Sequence, residues 1–172
     1  MATAPVGSSQ GLADRLVRRL LDLSPQEFEE FITDLLSTIG FETTVTEYVG
    51  DKGVDVLGTL NAEGVANINL RVQVKRYGGA SVGIDEVLKI RGSLTSDEHG
   101  AIVTTAKFTK QARQEAEVPG KKPIALVDRD ILVDLILKHY EELTERFQSF
   151  LGLQRKNIPL EEQFVMVDQV ST

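Results

Sequence analysis

The stretch Leu70-Arg71-Val72-Gln73-Val74-Lys75-Arg76 decides the fold of this 172-residue chain. Its apolar residues alternate with polar ones, which predicts a strand with one buried face and one polar face. Gln73 and Lys75 share the polar face and lie about 6.6 Å apart, because a strand rises about 3.3 Å per residue. Two side chains at that separation are close enough to act on one phosphate and its metal ion.

A second strand is predicted upstream, in Gly53-Val54-Asp55-Val56-Leu57, and it carries one carboxylate among apolar neighbours. A buried or half-buried aspartate requires a partner, a hydrogen-bond network or a metal ion. We therefore interpret Asp55 and the Gln73/Lys75 pair as two halves of one site.

The composition excludes several classes of protein. The length suits one domain with a substantial core. Because the chain has no cysteine, disulfides and cysteine zinc sites are excluded, and a reducing compartment is favoured. His99 and His139 are too scattered for a histidine metal site. No apolar run approaches about eighteen residues and the start lacks a signal-peptide pattern, so we expect a cytoplasmic protein without a membrane segment.

The net charge of −7 argues against a protein whose main role is to bind nucleic acid. The charges are unevenly distributed, however, since the acids concentrate in residues 22–47 and 141–162. The negative net charge indicates that a partner supplies part of any binding to nucleic acid. Two basic sets lie elsewhere: Arg71, Lys75, Arg76, Lys89 and Arg91 beside the predicted site, and Lys107, Lys110, Arg113, Lys121 and Lys122 further along.

The rest of the chain predicts alternating elements. A helix over residues 11–21 precedes a second helix, which begins with the capping box Ser24-Pro25-Gln26-Glu27 and ends at Gly40. Three antiparallel strands followed by alternating helices and strands predict an α/β sandwich with a central mixed β-sheet. The predicted elements in order are strands at 41–49, 53–60 and up to Arg76, helix 82–94, strand 99–104, helix 110–117, strand 124–127 and a helix beginning at Asp128.

The C-terminal segment carries two further predicted elements. Residues 139–151 are predicted to form one helix, and Gln163 to Val167 to form an edge strand, or equally a segment on which a partner docks. We divide the chain into a flexible lead at 1–10, a domain at 11–140, and a C-terminal helix and tail at 141–172 that is a candidate interaction segment.

Three glutamates of the second helix differ in their predicted positions. Glu27 is explained by capping, and Glu30 lies on the polar face. Glu29 lies at the edge of the buried stripe, from which a carboxylate could face a sheet. On periodicity alone, a charge at the boundary of the buried face is the simpler interpretation of Glu29.

Taken singly, each candidate residue is more often structural than catalytic. Together, an aspartate near the start of one strand, Gln-x-Lys on the next and a helix glutamate provide what a phosphodiesterase needs. Hard oxygen ligands hold Mg²⁺, and a lysine orients water or stabilises charge on the phosphate.

These residues resemble the Mrr-type catalytic domain of the PD-(D/E)xK nuclease superfamily, found in type IV restriction endonucleases. The resemblance spans about residues 11–140 and implies the restriction endonuclease-like fold, a three-layer sandwich with helices flanking the mixed sheet. The matching segments are Leu23-Ser24-Pro25 with Phe28-Glu29, Gly40-Phe41, Gly50 to Val56, Val72 to Tyr77, Ala101 to Thr105 with Phe108-Thr109 and Ala112, and Ile124 to Asp128.

The resemblance implies metal-dependent DNA hydrolysis with Mg²⁺, for which Mn²⁺ is a possible substitute. It makes Asp55 the principal metal ligand and places Gln73 where most superfamily members have a second acid. Lys75 is the implied catalytic lysine, and the Val74 backbone carbonyl is a further ligand. Because an amide binds cations less strongly than a carboxylate, the resemblance makes Glu29 the helix glutamate that completes the site, against the simpler interpretation from periodicity.

We expect DNA to be the partner, and a homodimer or a larger defence complex to supply target recognition, because nothing here resembles the winged-helix domain that such enzymes usually carry. Two alternatives stay open: a catalytically weak DNA-binding or assembly subunit, and a nuclease that resolves junctions or acts in repair. The predicted DNA-binding residues are Arg71, Arg76, Lys107, Lys110 and Arg113.

Overall fold

The computed structural model describes residues 9–45, 55–155 and 164–166. The predicted strand beyond residue 45, the turn at 50–53 and residues 1–8 of the lead lie outside the described residues. The described elements are α1 Ser9–Asp22, α2 Pro25–Thr38, β1 Glu42–Val45, β2 Asp55–Ala62, β3 Ala66–Lys75, α3 Ile84–Ser93, β4 Glu98–Thr104, α4 Lys110–Ala116, β5 Ile124–Val127, α5 Arg129–His139, a 3-10 turn Tyr140–Glu142, α6 Glu145–Leu151, β6 Leu153–Arg155 and β7 Phe164–Met166.

Five strands form the central sheet in the order β1-β2-β3-β4-β5. The pairs β1/β2 and β2/β3 are antiparallel, whereas β3/β4 and β4/β5 are parallel. Antiparallel neighbours need only a short turn, and parallel neighbours need a crossover, which α3 and α4 provide here. The predicted mixed sheet is confirmed.

Strand β3 separates two cores, one on each face of the sheet. Val72 is fully buried in the larger core with Phe28 and Phe31 of α2 and with residues of α1, α5 and α6. Ile102 of β4 lies in the smaller core, with buried residues of α3 and α4. The architecture is therefore three layers, and the predicted fold class is confirmed.

Helix α2 begins as its sequence predicts. The Ser24 side chain accepts a hydrogen bond from the Glu27 amide at 3.2 Å, and the Ser24 amide donates to the Glu27 carboxylate at 2.8 Å. Gly40 follows the helix with a φ of 106°, which favours glycine because other residues rarely adopt it. These two ends fix the orientation of α2 on the sheet.

Two predicted boundaries are wrong. Helix α1 begins at Ser9, so the lead does not extend to residue 10. The helix predicted at 139–151 is interrupted, because Leu143 is extended and buried. The Thr144 amide then donates to Asp34 Oδ2 at 2.9 Å, a contact 110 positions away that local periodicity cannot reveal.

The C-terminal segment is built into the larger core as far as Leu153. Phe147 meets Phe31 edge to face at a ring separation of 5.2 Å, and Leu151 is fully buried. Strand β7 pairs with β6 in a separate two-stranded sheet. The predicted strand therefore exists in part, but it does not extend the edge of the central sheet. Within the described residues, no helix is long and apolar enough to cross a membrane.

Candidate active site

The register of β2 and β3 brings the two halves of the predicted site together. Asp55, the first residue of β2, is the pairing partner of Gln73, which lies two residues before the end of β3. Because the strands are antiparallel, the start of β2 and the end of β3 lie at the same edge of the sheet. The backbone of Asp55 therefore lies directly opposite Gln73.

Gln73 is a buried polar residue on the face opposite Val72. It is 8% exposed, and its Oε1 atom has no hydrogen-bond donor among the described residues. A buried acceptor without a partner is costly, and such groups concentrate where an ion or ligand binds. An amide oxygen is also one of the hard ligands that Mg²⁺ accepts, so Gln73 fits the predicted role of a cation ligand.

Lys75 ends β3 on the same face as Gln73, and its ammonium group has a carboxylate partner. The distance from Lys75 Nζ to Glu86 Oε2 is 3.0 Å, and these side chains are 17% and 15% exposed. Thr105, just beyond β4, donates its amide to the Lys75 carbonyl at 3.4 Å. The last residue of β3 is thus held by the sheet through its backbone and by α3 through its side chain.

Glu86 was not identified from the sequence. It lies in the first turn of α3, where an acidic residue is ordinarily explained by the helix dipole. Burial raises the pKa of its carboxyl group, but the Lys75 and Lys89 ammonium groups outweigh burial and hold this pKa below its usual value. Only the crossover between β3 and β4 brings Glu86 to Lys75, and no local pattern predicts that contact.

Glu29 is placed differently from the other predicted site residues. Helix α2 packs on the face of Val56 and Val72, and Gln73 and Lys75 alternate with Val72 on the other face. Burial and the neighbouring Glu30 raise the pKa of the Glu29 carboxyl group. Within the described residues, no hydrogen bond or ion pair joins Glu29 to Gln73 or Lys75, and its role stays a prediction.

Three of the predicted DNA-binding cations are already paired with carboxylates. Arg71 binds Glu98 through two hydrogen bonds, at 3.2 and 3.0 Å. Lys107 lies 2.5 Å from the Asp130 carboxylate. Arg113 contacts Asp128, which also caps α5, at 2.6 Å. These pairs are exposed to different degrees, and any binding of DNA phosphates there must compete with them.

The other two predicted cations differ from these. Arg76 donates to the Leu21 carbonyl at 2.7 Å, which ties the end of β3 to the end of α1. Lys110 is exposed at the start of α4. Among the five, Lys110 is therefore the one whose charge is most available to a phosphate.

A cleft of about 380 Å³ opens at the carboxyl ends of β3 and β4. Arg18, Lys107 and Arg129 contribute positive charge to its lining, and Asp14 pairs with Arg129. Tyr77, two residues beyond Lys75, is also part of the lining. The cleft thus places three cations and one acid next to the end of the strand that carries Lys75, and two of these cations, Lys107 and Arg129, already pair with carboxylates.

The described residues contain no group of three histidine, cysteine, aspartate or glutamate side chains able to hold a metal. Gln73 is not one of those types, and the side chain of Asp55 is not described. The feature that favours a bound cation is Gln73 Oε1, which has no hydrogen-bond donor among the described residues. Gln73 lies directly across from position 55. That arrangement fits a divalent ion with oxygen ligands.

A family model for the Mrr-type catalytic domain, described as restriction endonuclease, matches residues 20–136. This chain belongs to the Mrr-type restriction endonuclease family. The predicted resemblance is thereby confirmed.

One relative of this Mrr-type chain is the type IV methyl-directed restriction enzyme EcoKMrr of Escherichia coli (strain K12). The two are 30% identical over 142 residues, which cover 78% of this chain and 45% of that enzyme. The Mrr-type chain therefore spans less than half the length of this relative.

Two solved structures share the fold of the Mrr-type chain. The DNA modification-dependent restriction endonuclease AspBHI matches with a TM-score of 0.66 and 22% identity, covering 86% of this chain and 40% of that one. The MspJI restriction endonuclease, in complex with a 27-mer oligonucleotide, matches with a TM-score of 0.61 and 15% identity, covering 88% and 39%. At these identities the likeness concerns the fold.

Proposed function

We propose that this chain is a metal-dependent DNA endonuclease module that hydrolyses phosphodiester bonds with Mg²⁺ in a restriction or anti-phage defence system. One observation carries the proposal. Gln73, whose buried Oε1 has no hydrogen-bond donor within the described part of the chain, lies opposite Asp55 and two residues before Lys75, at one edge of the sheet of a restriction endonuclease family member.

Each residue of the site has a proposed role. Asp55 and Gln73 hold the cation through side-chain oxygens, and the Val74 carbonyl is a further proposed ligand. A bound Mg²⁺ supplies charge stabilisation at the phosphate and an activated water. Lys75 presents its ammonium group next to the phosphate, where it orients the water or stabilises the negative charge that develops.

Glu29 is the fourth proposed member of the site. The half-burial of its carboxyl group and its raised pKa support a role beyond a solvated surface charge. The packing of α2 on the opposite face of the sheet weighs against direct contact with Gln73. On the first of these grounds the proposal keeps Glu29 as the helix glutamate that completes the site.

The proposed partner is DNA. The cationic cleft beside Tyr77 and the exposed Lys110 support this assignment. Because the net charge is −7, we propose that a second copy of the chain or a larger complex in the cytoplasm supplies target recognition.

The test is cleavage of plasmid DNA by the purified protein with Mg²⁺ or Mn²⁺, beside the Lys75→Ala variant. Loss of one charge-stabilising group predicts a decrease in rate of about 1000-fold, with folding unchanged. Methylated and unmethylated plasmids are compared, since modification is the property named for the relatives. Cleavage that persists at the same rate in Lys75→Ala would contradict the proposal.

A second candidate function is a DNA-binding or assembly subunit with weak catalysis. The carboxylates that already pair with Arg71, Lys107 and Arg113 favour a role for these cations within the fold. The same plasmid assay separates the candidates, because an assembly subunit shows no difference between wild type and Lys75→Ala. Preference for four-way junctions over linear duplex would instead indicate a junction-resolving nuclease.

A further inference from the structure

Glu86 occupies a position that the proposed chemistry does not yet use. Its carboxylate approaches Lys75 Nζ to 3.0 Å on the face of the sheet that carries Gln73. Its other oxygen lies 3.2 Å from Lys89 Nζ. Lys75 is 17% exposed, whereas Lys89 is 67% exposed and reaches Glu86 from solvent. Of the two pairs, the one with Lys75 is therefore the less screened by water.

The start of α3 is fixed independently of this ion pair. Val82, two residues before the helix, is buried and bridges to Phe108. Its amide donates to the Lys107 carbonyl at 2.8 Å, and its carbonyl accepts from the Thr109 amide at 3.0 Å. Val87, the residue after Glu86, is fully buried in the smaller core. Glu86 is therefore held by a rigid helix, and its carboxylate is a fixed reference point for a flexible lysine.

A lysine side chain has four rotatable bonds and about 2 kcal/mol of rotamer entropy, so its ammonium group does not occupy one position unaided. Catalysis by charge stabilisation requires the charge to be in place before the reaction, and a displacement of about 1 Å can cost about 100-fold in rate. A rigid carboxylate at 3.0 Å provides that placement at the end of β3.

We propose that Glu86 is the positioning residue of this site and holds the Lys75 ammonium group in the orientation from which it acts on the scissile phosphate. The proposal rests on the proposed nuclease function. It assigns to α3 a carboxylate that serves the site through Lys75, and it requires no contact between Glu86 and the metal ion or the DNA.

Asp85 offers a matched control. It lies in the same first turn of α3, it is exposed, and it carries the same charge next to Glu86 in the sequence. Asp85→Asn therefore removes one helix-dipole partner without touching Lys75. Lys89→Ala is a second control, because it removes the exposed partner of the Glu86 carboxylate and leaves the buried one.

The experiment measures the mobility of the Lys75 side chain by NMR of its ε-carbon and the rate of DNA cleavage at saturating DNA. It uses wild type, Glu86→Gln, Asp85→Asn and Lys89→Ala. The proposal predicts that Lys75 becomes mobile in Glu86→Gln alone, where the cleavage rate falls by about 100-fold. DNA affinity and the Mg²⁺ concentration for half-maximal rate are expected to stay at their wild-type values in that variant.

Three results would overturn the proposal. The first is a Lys75 side chain that stays fixed in Glu86→Gln. The second is a rate that excess Mg²⁺ restores, which would make Glu86 a metal ligand. The third is an equal loss of rate in Asp85→Asn, which would reduce Glu86 to a helix-dipole charge. A wild-type protein that holds Lys75 through Glu86 but cleaves no DNA would instead contradict the proposed nuclease function.

Discussion

The two faces of strand β3 differ in what their side chains contact. Val72 and Val74 pack into the larger core beneath α1, α2 and α5. Gln73 and Lys75, which alternate with them, lie on the other face, where Gln73 Oε1 has no described partner and Lys75 meets Glu86. One face thus stabilises the fold through apolar burial, and the other retains polar groups that a stable core would not need.

This contrast teaches that burial alone does not distinguish fold from function. Val72 is fully buried and Gln73 is 8% exposed, so the two positions are similar in access to water. What separates them is whether the buried group is satisfied by its neighbours. An apolar side chain is satisfied by packing, whereas the Gln73 oxygen requires a donor or a cation.

After Lys75→Ala, the largest effect is expected from Gln73→Ala. Removal of the proposed ligand should lower the cleavage rate by about 100-fold or more at limiting Mg²⁺. The free energy of unfolding should also decrease by about 1 kcal/mol, because a buried methylene group is lost with the amide, so the rate is compared per folded molecule. Cleavage kinetics and urea unfolding of the same preparation measure both quantities.

Gln73→Glu is the matched control for that variant. A carboxylate at position 73 keeps an oxygen ligand and adds charge, so activity is retained and the Mg²⁺ concentration for half-maximal rate decreases. Complete inactivity of Gln73→Glu would count against Gln73 as a ligand.

The next largest effect is expected from Val72→Ala, on the other face of the strand. Loss of two buried methyl groups should destabilise the protein by about 2 kcal/mol. Cleavage per folded molecule should stay close to wild type, since the Val72 side chain lies in the larger core, on the face of β3 opposite Gln73 and Lys75. Val65→Ala is the control because Val65 is 90% exposed in the β2–β3 turn, and it should leave the unfolding midpoint in urea unchanged.

The smallest effect is expected from Glu29→Gln. Folding raises the pKa of the Glu29 carboxyl group. Above this raised pKa the group is ionised in both the folded and the unfolded protein, and its charge there reduces the free energy of unfolding. Glu29→Gln should therefore be slightly more stable than wild type at pH 7, and the difference should vanish as the pH falls below the ordinary glutamate value of 4.5.

Glu30→Gln serves as the comparison for Glu29, since Glu30 pairs with Arg146 at 2.7 Å. Thermal unfolding of both variants is measured from about pH 3 to about pH 8, a range that spans the titration of a carboxylic acid. A stability difference for Glu29→Gln that grows as the pH falls would show that burial does not raise this pKa.

Much of the fold could be predicted because its signals are local. Three elements are each predicted by a pattern of a few residues, and the structure confirms all three. The patterns are the alternation around Val72 for β3, the capping box at Ser24 for α2 and the apolar run Ile124–Val127 for β5. The break before α6 could not be predicted, because it depends on Thr144 bonding to the distant Asp34.

The site was predictable to a smaller extent. Asp55, Gln73 and Lys75 were identified as neighbours because strand pairing follows from the hairpin that joins β2 and β3. Glu86 was not identified, because its contact with Lys75 depends on where the crossover helix docks. Similarly, the sequence predicts Arg71 as a cation that binds DNA, whereas the fold pairs it with Glu98, 27 positions away.

The most direct test of this account is the location of a bound Mn²⁺ ion, measured by anomalous diffraction from a crystal of the protein soaked in Mn²⁺. The account predicts one strong peak in direct contact with Gln73 Oε1 and the Asp55 carboxylate, on the polar face of β3. A protein that binds Mn²⁺ elsewhere, with Gln73 and Asp55 bonded to each other or to neighbouring residues, would contradict it.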